Sequence, residues 1–269
     1  MLLNFHSFET NHTDEWIIFF HGLGGNHSIF YKQIEKFKEH YNLLCIDFPG
    51  HGQSPSFEEQ DYLSLTGRKV VELMDHLNIQ SAHFVGVSLG TIVMQEVSLN
   101  HSHRIKSMVL AGAASRWLKW GELLGKLTLS KPIRKLLPYM VPYSIFAFLL
   151  LPKRNHRNSR AIFIREAFKL GKDDYHKWAF VARDAYKTYE KLKPSLNTIP
   201  KLYVSGSEDH MFLRGIKRFV KKEAYSKLNI IKNCGHVCNI EKPDDFNEIA
   251  LAFLQTISHF QHPKNASAI

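Results

Sequence analysis

Gly86-Val87-Ser88-Leu89-Gly90 sets a serine between two glycines, and its context makes it a candidate nucleophile. The apolar run Ala82 to Val87 reads as a strand, and Leu89 to Asn100 reads as a helix that starts directly after it. A strand–turn–helix junction of this kind exposes the serine at the C-terminal end of a strand, against a helix N-terminus. The turn is so sharp that positions 86 and 90 must lack side chains. The plainer reading, a serine capping a helix between packing glycines, leaves the abrupt strand–helix junction unexplained.

A serine hydroxyl attacks only when a base takes its proton. Sixteen histidines compete for that role. His83 begins its strand and so lies at the wrong edge of the sheet. His21 and His51 follow strands but belong to turns where their backbone carries the weight. His236, in Asn233-Cys234-Gly235-His236, follows the last strand and precedes the final helix, so a loop can bring it back to Ser88. The orienting acid should lie between serine and histidine in the chain. Ser205-Gly206-Ser207-Glu208-Asp209-His210 follows the strand Ile199 to Val204; Asp209, farther into the turn, is favoured, with Glu208 as the alternative. Oxyanion donors are then expected from the backbone N–H of Leu89 and from the glycine-rich turn His21-Gly22-Leu23-Gly24-Gly25, most directly from Leu23.

These groups need a sheet whose strands end at one edge. Short apolar runs at Trp16 to Phe20, Asn42 to Ile46, Ala82 to Val87, Ile105 to Leu110, Ile199 to Val204 and Leu228 to Ile231 alternate with amphipathic stretches such as Asp61 to Asn78, Leu213 to Lys222 and Asp244 to Phe260. That is the pattern of a mainly parallel sheet covered by helices. From about Ala113 to Leu192 the alternation gives way to helical segments broken by Pro132, Pro138, Pro142, Pro152 and Gly171, as expected of a cap over the site. The expected organisation is a core of residues 1–112 and 193–260, a cap of 113–192 and a frayed tail of 261–269.

With 269 residues, 44% of them hydrophobic, the chain can bury a full core and is not disordered. The start, Met1-Leu2-Leu3-Asn4-Phe5-His6, shows no secretory signal. Val141 to Leu151, interrupted by Pro142, is too short for a transmembrane segment, which takes about 20 residues. Three cysteines argue against a disulfide framework and fit a cytoplasmic setting. Cys234 and Cys238 flank His236, but two thiols at this spacing are too few ligands for a metal site, so none is expected.

His21-Gly22-Leu23-Gly24-Gly25, Asp47-Phe48-Pro49-Gly50-His51-Gly52-Gln53-Ser54, Gly86 to Gly90, Gly206-Ser207-Glu208-Asp209 and Gly235-His236 occur in this order. Together they resemble the α/β-hydrolase superfamily, in its compact branch of esterases, lactonases, thioesterases and carbon–carbon bond hydrolases. The resemblance covers nearly the whole chain and is weakest in the cap. It implies an α/β-hydrolase fold with an eight-stranded, mostly parallel sheet, a helical cap after the sixth strand and no cofactor. It also implies triad roles for Ser88, Asp209 and His236 and oxyanion roles for Leu23 and Leu89. Thr91 departs from the second small glycine that many relatives carry after the serine. Serine at position 88 sets the chain apart from the dehalogenase and epoxide hydrolase relatives, which use an aspartate there.

The net charge is +10, yet thirteen lysines and arginines face only Glu122 and Glu166 between Ala113 and Lys172, an excess of +11. One reading is a solvated helical surface. The other is attraction to an acidic carrier protein or an anionic lipid surface, since Trp117, Trp120, Phe146, Phe148 and many leucines accompany the charge. No nucleic-acid motif accompanies it. The expectation is a serine hydrolase acting on a small ester, thioester or lactone with an apolar acyl group. The alternatives are a C–C hydrolase, lyase or acyltransferase on the same triad, or a ligand sensor in this fold.

Overall fold

A computed structural model describes residues 1–192 and 197–261. Its elements in chain order begin with β1 (Phe5–Phe8), β2 (Trp16–Phe20), α1 (Tyr31–Phe37), β3 (Asn42–Ile46), α2 (Tyr62–His76), β4 (Ala82–Val87), α3 (Leu89–Asn100) and β5 (Ile105–Ala111). Six helices follow without a strand between them: α4 (Lys119–Thr128), α5 (Lys131–Leu136), α6 (Met140–Leu150), α7 (Arg157–Ala167), α8 (Lys172–Arg183) and α9 (Ala185–Lys191). The chain then resumes with β6 (Lys201–Gly206), α10 (Leu213–Val220), β7 (Ser226–Ile231), α11 (Cys238–Glu241) and α12 (Pro243–Gln261). The expected boundary at residue 193 lies outside the described residues. So does the expected tail, apart from Gln261, the last residue of α12.

The strand order is β1-β3-β2-β4-β5-β6-β7. β1 runs antiparallel to β3 and every other pair is parallel. The strands β2, β3 and β4 are buried almost throughout and largely apolar, because helices cover both faces. β7, at the edge, alternates in burial instead.

The described sheet has seven strands where eight were expected, so the cap follows the fifth strand rather than the sixth. The reason lies in the fifteen residues before Trp16. Phe5–Phe8 forms the only strand among them, on the outer edge of β3, and the rest must cross to the start of β2 on the far side. That crossing is tied to Asn42: its Oδ1 accepts from the Thr10 N–H (2.7 Å), and its Nδ2 and N–H donate to the Thr13 and Glu15 carbonyls (both 2.8 Å). No further strand forms between Phe8 and Trp16.

β3 lies on one side of β2 and β4 on the other, so the crossover from β2 to β3 and the one from β3 back past β2 to β4 run in opposite directions. In a parallel sheet this reversal opens a crevice at the strands' C-terminal ends. The turn after β2 and the turn after β4 flank that crevice. The loops after β6 and β7 end at the same edge.

Candidate active site

Ser88 stands between β4 and α3 with φ 52° and ψ −113°, a left-handed backbone that costs a non-glycine residue on the order of 1–3 kcal/mol. Tight packing holds it there. A β-carbon on Gly90 would lie 2.2 Å from the Phe20 carbonyl oxygen, and one on Gly86 would lie 2.2 Å from the Met94 sulfur. Thr91, the departure from the family pattern, is fully buried and donates its hydroxyl to the Ser88 carbonyl at 2.6 Å. It braces the turn from below.

The structure brings Ser88, His236 and Asp209 together from three separate loops. Ser88 Oγ is 2.8 Å from His236 Nε2, and His236 Nδ1 is 2.9 Å from Asp209 Oδ2. An ionised carboxylate only accepts, which puts the ring proton on Nδ1 and leaves the Nε2 lone pair for the serine proton. Asp209 Oδ1 accepts from the Phe212 N–H (3.2 Å). His236 and Asp209 are buried, and Ser88 is half-buried.

Glu208, the alternative acid, faces away from this line. Its carboxylate accepts from Lys153 Nζ (2.8 Å) and Asn155 Nδ2 (2.9 Å) and lies 2.8 Å from His156 Nε2, all three between α6 and α7. Hydrogen bonds from Asn155 and Lys153 hold its carboxyl down at about 2. Glu208 therefore latches the cap to the core.

Leu23 and Leu89 flank the serine, and neither N–H has an acceptor among the described residues. The Leu89 N–H is one of the orphan donors at the start of α3. The orientation of the Leu23 N–H follows from its neighbours. The Gly22 carbonyl lies 2.8 Å from His21 Nδ1 and accepts from the Gly25 N–H (3.0 Å). Because the peptide is trans, the Leu23 N–H must point the opposite way. The next peptide is held at both ends: the Leu23 carbonyl accepts from the Tyr143 hydroxyl (3.0 Å), and the Gly24 N–H donates to His51 Nε2 (3.1 Å). His21 Nε2 also accepts from the Phe48 N–H at 3.0 Å. Burial pushes the His21 imidazole down to about 4 and drives His51 well below the usual histidine range. Both rings are thus neutral and offer one donor and one acceptor each.

Position-fixing roles for His21, His51, Tyr143 and Glu241 did not emerge from the sequence. Glu241 accepts from the N–H groups of Gly235 (2.7 Å) and Val237 (3.1 Å), on either side of His236. A lone tyrosine or glutamate carries no local pattern that marks such a role. The Asp47 to Ser54 motif did carry one. The Asp47 carboxylate accepts from the N–H groups of His27 (2.7 Å) and Gln53 (3.1 Å), and Gly52, at φ 54°, passes so close that a β-carbon would meet the carboxylate. Cys234 and Cys238 are buried, and no group of three or more metal-ligating side chains occurs among the described residues.

Two cavities meet at the serine. The larger, about 100 Å³, runs under the cap between Leu124 and Leu129 of the α4 side and Pro142, Ile145 and Phe146 of α6. Arg183 is its one cationic wall residue, held by Asp184 in two hydrogen bonds (2.6 and 2.9 Å). The smaller, about 30 Å³, is bounded by Val87, Ile162, His236 and Val237. Ser88 borders both, whereas His236 borders only the smaller.

A mostly parallel sheet with Ser88, His236 and Asp209 in line at its C-terminal edge is the arrangement of the α/β-hydrolase fold. The family model described as "alpha/beta hydrolase fold" matches residues 15–134. The chain is 24% identical to 3-oxoadipate enol-lactonase 1 of Acinetobacter baylyi, over 90% of this chain and 89% of that protein. It is 26% identical to 2-hydroxy-6-oxo-6-phenylhexa-2,4-dienoate hydrolase of Comamonas testosteroni, over 90% and 88%. Among solved structures, a thermophilic esterase from Thermogutta terrifontis superposes with TM-score 0.79 at 15% identity, over 95% of this chain and 93% of that one. The enol-lactonase from Burkholderia xenovorans LB400 gives 0.72 at 19%, over 94% and 96%. The chain has the α/β-hydrolase fold and is similar to esterases, lactonases and carbon–carbon bond hydrolases that share it.

Proposed function

We propose that the protein is a serine hydrolase that cleaves carboxylic esters, thioesters or lactones bearing an uncharged apolar acyl group, in a cytoplasmic setting. The observation that carries this reading is the Ser88–His236–Asp209 line opening onto an apolar cavity. Ser88 Oγ attacks the carbonyl carbon as its proton passes to His236 Nε2. Asp209 holds the tautomer and stabilises the imidazolium. The Leu23 and Leu89 N–H groups receive the charge that develops on the carbonyl oxygen. His236 then returns the proton to the leaving oxygen or sulfur, and a water activated by the same histidine hydrolyses the acyl-enzyme.

The general acid must reach the leaving atom, and His236 borders only the smaller cavity. The leaving group therefore goes there and the acyl group takes the larger one. The relatives named for an adipate lactone and a dienoate act on carboxylates, which need a free cation in the site. Here the cavity's one arginine is already committed to Asp184, which favours an uncharged acyl group over such substrates and over C–C cleavage of a dienoate.

The test is a series of p-nitrophenyl esters of increasing chain length, run on wild type and Ser88→Ala. Wild-type turnover should prefer an acyl length that fills the larger cavity. Ser88→Ala should lose roughly four to six orders of magnitude and all labelling by a fluorophosphonate. Turnover or labelling that survives in Ser88→Ala would overturn the assignment.

A further inference from the structure

Of the thirteen large hydrophobic side chains that stand exposed among the described residues, nine lie in the cap between Trp120 and Phe168. On α4, Trp120, Leu123 and Leu127 share the outer face, while Leu124 and Thr128 turn inward to the cavity. On α6, Val141, Ile145 and Phe148 face out at helical spacing, while Tyr143, Ala147 and Leu150 are buried. α6 carries no charged residue along its length, and a helix that is apolar all round needs cover on every side. A patch of this extent on a folded chain marks an interaction surface.

Charge indicates what provides the cover. Lys126, Lys131 and Lys135 lie on the same run of helices, all exposed and without a carboxylate partner among the described residues. The two acids of the segment are occupied, Glu122 with Arg116 and Glu166 with Arg165 and Lys169. A second copy of this chain would bring an equally basic face against this one. An acidic protein would answer the lysines but leave the leucine and phenylalanine rows against polar surface. An anionic bilayer answers both, with headgroups for the lysines and the acyl boundary for the apolar rows.

The patch is also joined to the site. Ile145 lines the active-site cavity on one side and, on the other, an outer groove formed with Val141, Phe148 and Phe168. We infer that the outer face of α4 to α6 docks on an anionic phospholipid surface, and that apolar substrates enter past Ile145 directly from it. The entry route rests on the larger cavity being the acyl site; the docking does not.

The full chain should float with vesicles of phosphatidylcholine mixed with phosphatidylglycerol, bind phosphatidylcholine alone roughly tenfold or more weakly, and release as salt is added. Lys126→Glu/Lys131→Glu/Lys135→Glu and, separately, Leu123→Gln/Leu127→Gln/Phe148→Gln should each lower that binding about tenfold or more. None of these six residues borders Ser88, so turnover of p-nitrophenyl acetate should be unchanged and serves as the check of folding. Both variants should also lose turnover of a long-chain ester presented in the anionic vesicles. Flotation that ignores lipid charge, or that both variants retain, would sink the proposal. So would a wild-type dimer in solution that the Gln variant dissociates, since a second copy would then own the face. Vesicle binding without ester turnover by wild type would instead count against the proposed chemistry and leave the docking standing.

Discussion

At the scale of single residues, the proposed mechanism separates groups that react from groups that aim them. Removing His236 should cost nearly as much as removing Ser88. Asp209→Asn should keep roughly ten- to a hundredfold more activity than His236→Ala, because nucleophile and base remain. Steady-state kinetics on one short ester tests that order. Glu208→Gln should leave kcat for the same ester within about twofold, since Glu208 contacts the cap and not the His236 imidazole. If Glu208→Gln is inactive and Asp209→Asn is not, the acid is misassigned.

His21 makes a different prediction. Its folded value of about 4 lies below the 6.5 of the unfolded chain, so between those values the unfolded state binds the extra proton. The stability it contributes is present above pH 6.5 and lost as pH falls toward 4, on the order of 3 kcal/mol. The carboxylates held low, such as Glu208, act below about 4.5, while Glu96, pushed up by burial, gains stability as pH falls and works against the histidines. His21→Gln can still pair with the Gly22 carbonyl and the Phe48 N–H but has no titrating ring. It should flatten the fall in melting temperature between pH 6.5 and 4.5, measured by circular dichroism.

At the scale of elements, the cap helps to build the proposed oxyanion turn as well as covering it. Tyr143 of α6 donates to the Leu23 carbonyl, and Asn26, just after the turn, donates to Glu166 of α7 at 2.9 Å. Tyr143→Phe keeps the packing and removes only the hydroxyl. Its kcat should fall roughly tenfold, for want of a well-aimed donor, with KM changed little. An unchanged kcat with a raised KM would make Tyr143 a wall of the cavity only. The elements that place the nucleophile and histidine were legible because long apolar runs and glycine punctuation mark them locally. β1 was not: Phe5-His6-Ser7-Phe8 is four residues, half polar, and is a strand only because β3 offers it an edge. The positioning roles of Tyr143, His51 and Glu241 were hidden for a related reason, since each depends on a contact between segments remote in sequence.

At the scale of the whole molecule, the order of the turns around the crevice was readable from the chain order of the motifs, whereas the strand count was carried over from the family and failed at the N-terminus. Beneath the sheet edge that carries Asp209, Lys201 and Glu223 form an ion pair at 2.7 Å with both side chains almost wholly buried. Tyr203 adds a hydrogen bond to the same carboxylate at 2.9 Å. Removing one partner of such a pair strands the other charge. Lys201→Met should destabilise by about 3–5 kcal/mol, and Lys201→Met with Glu223→Leu should recover most of that loss. Urea unfolding of the single and double variants tests it.

The cap leaves the core after β5 and returns at β6, and these two strands are neighbours, with Met108 beside Lys201. Because the pair is parallel, the exit at Ala111 and the return at Lys201 stand three register positions apart, roughly 10 Å along the strands, and the sheet itself fixes that gap, whatever lies between them. Closing a longer loop across a fixed gap costs little, about 0.6 kcal/mol for each doubling of its length. Lengthening or replacing the segment thus leaves the spacing of serine, histidine and aspartate nearly untouched. The constraint on such exchange is chemical: any successor must bring a hydroxyl to the Leu23 carbonyl and a carboxylate to Asn26. Within that rule, substrate range and the proposed surface attachment can change together, by descent or by design, while the residues beneath them stay as they are.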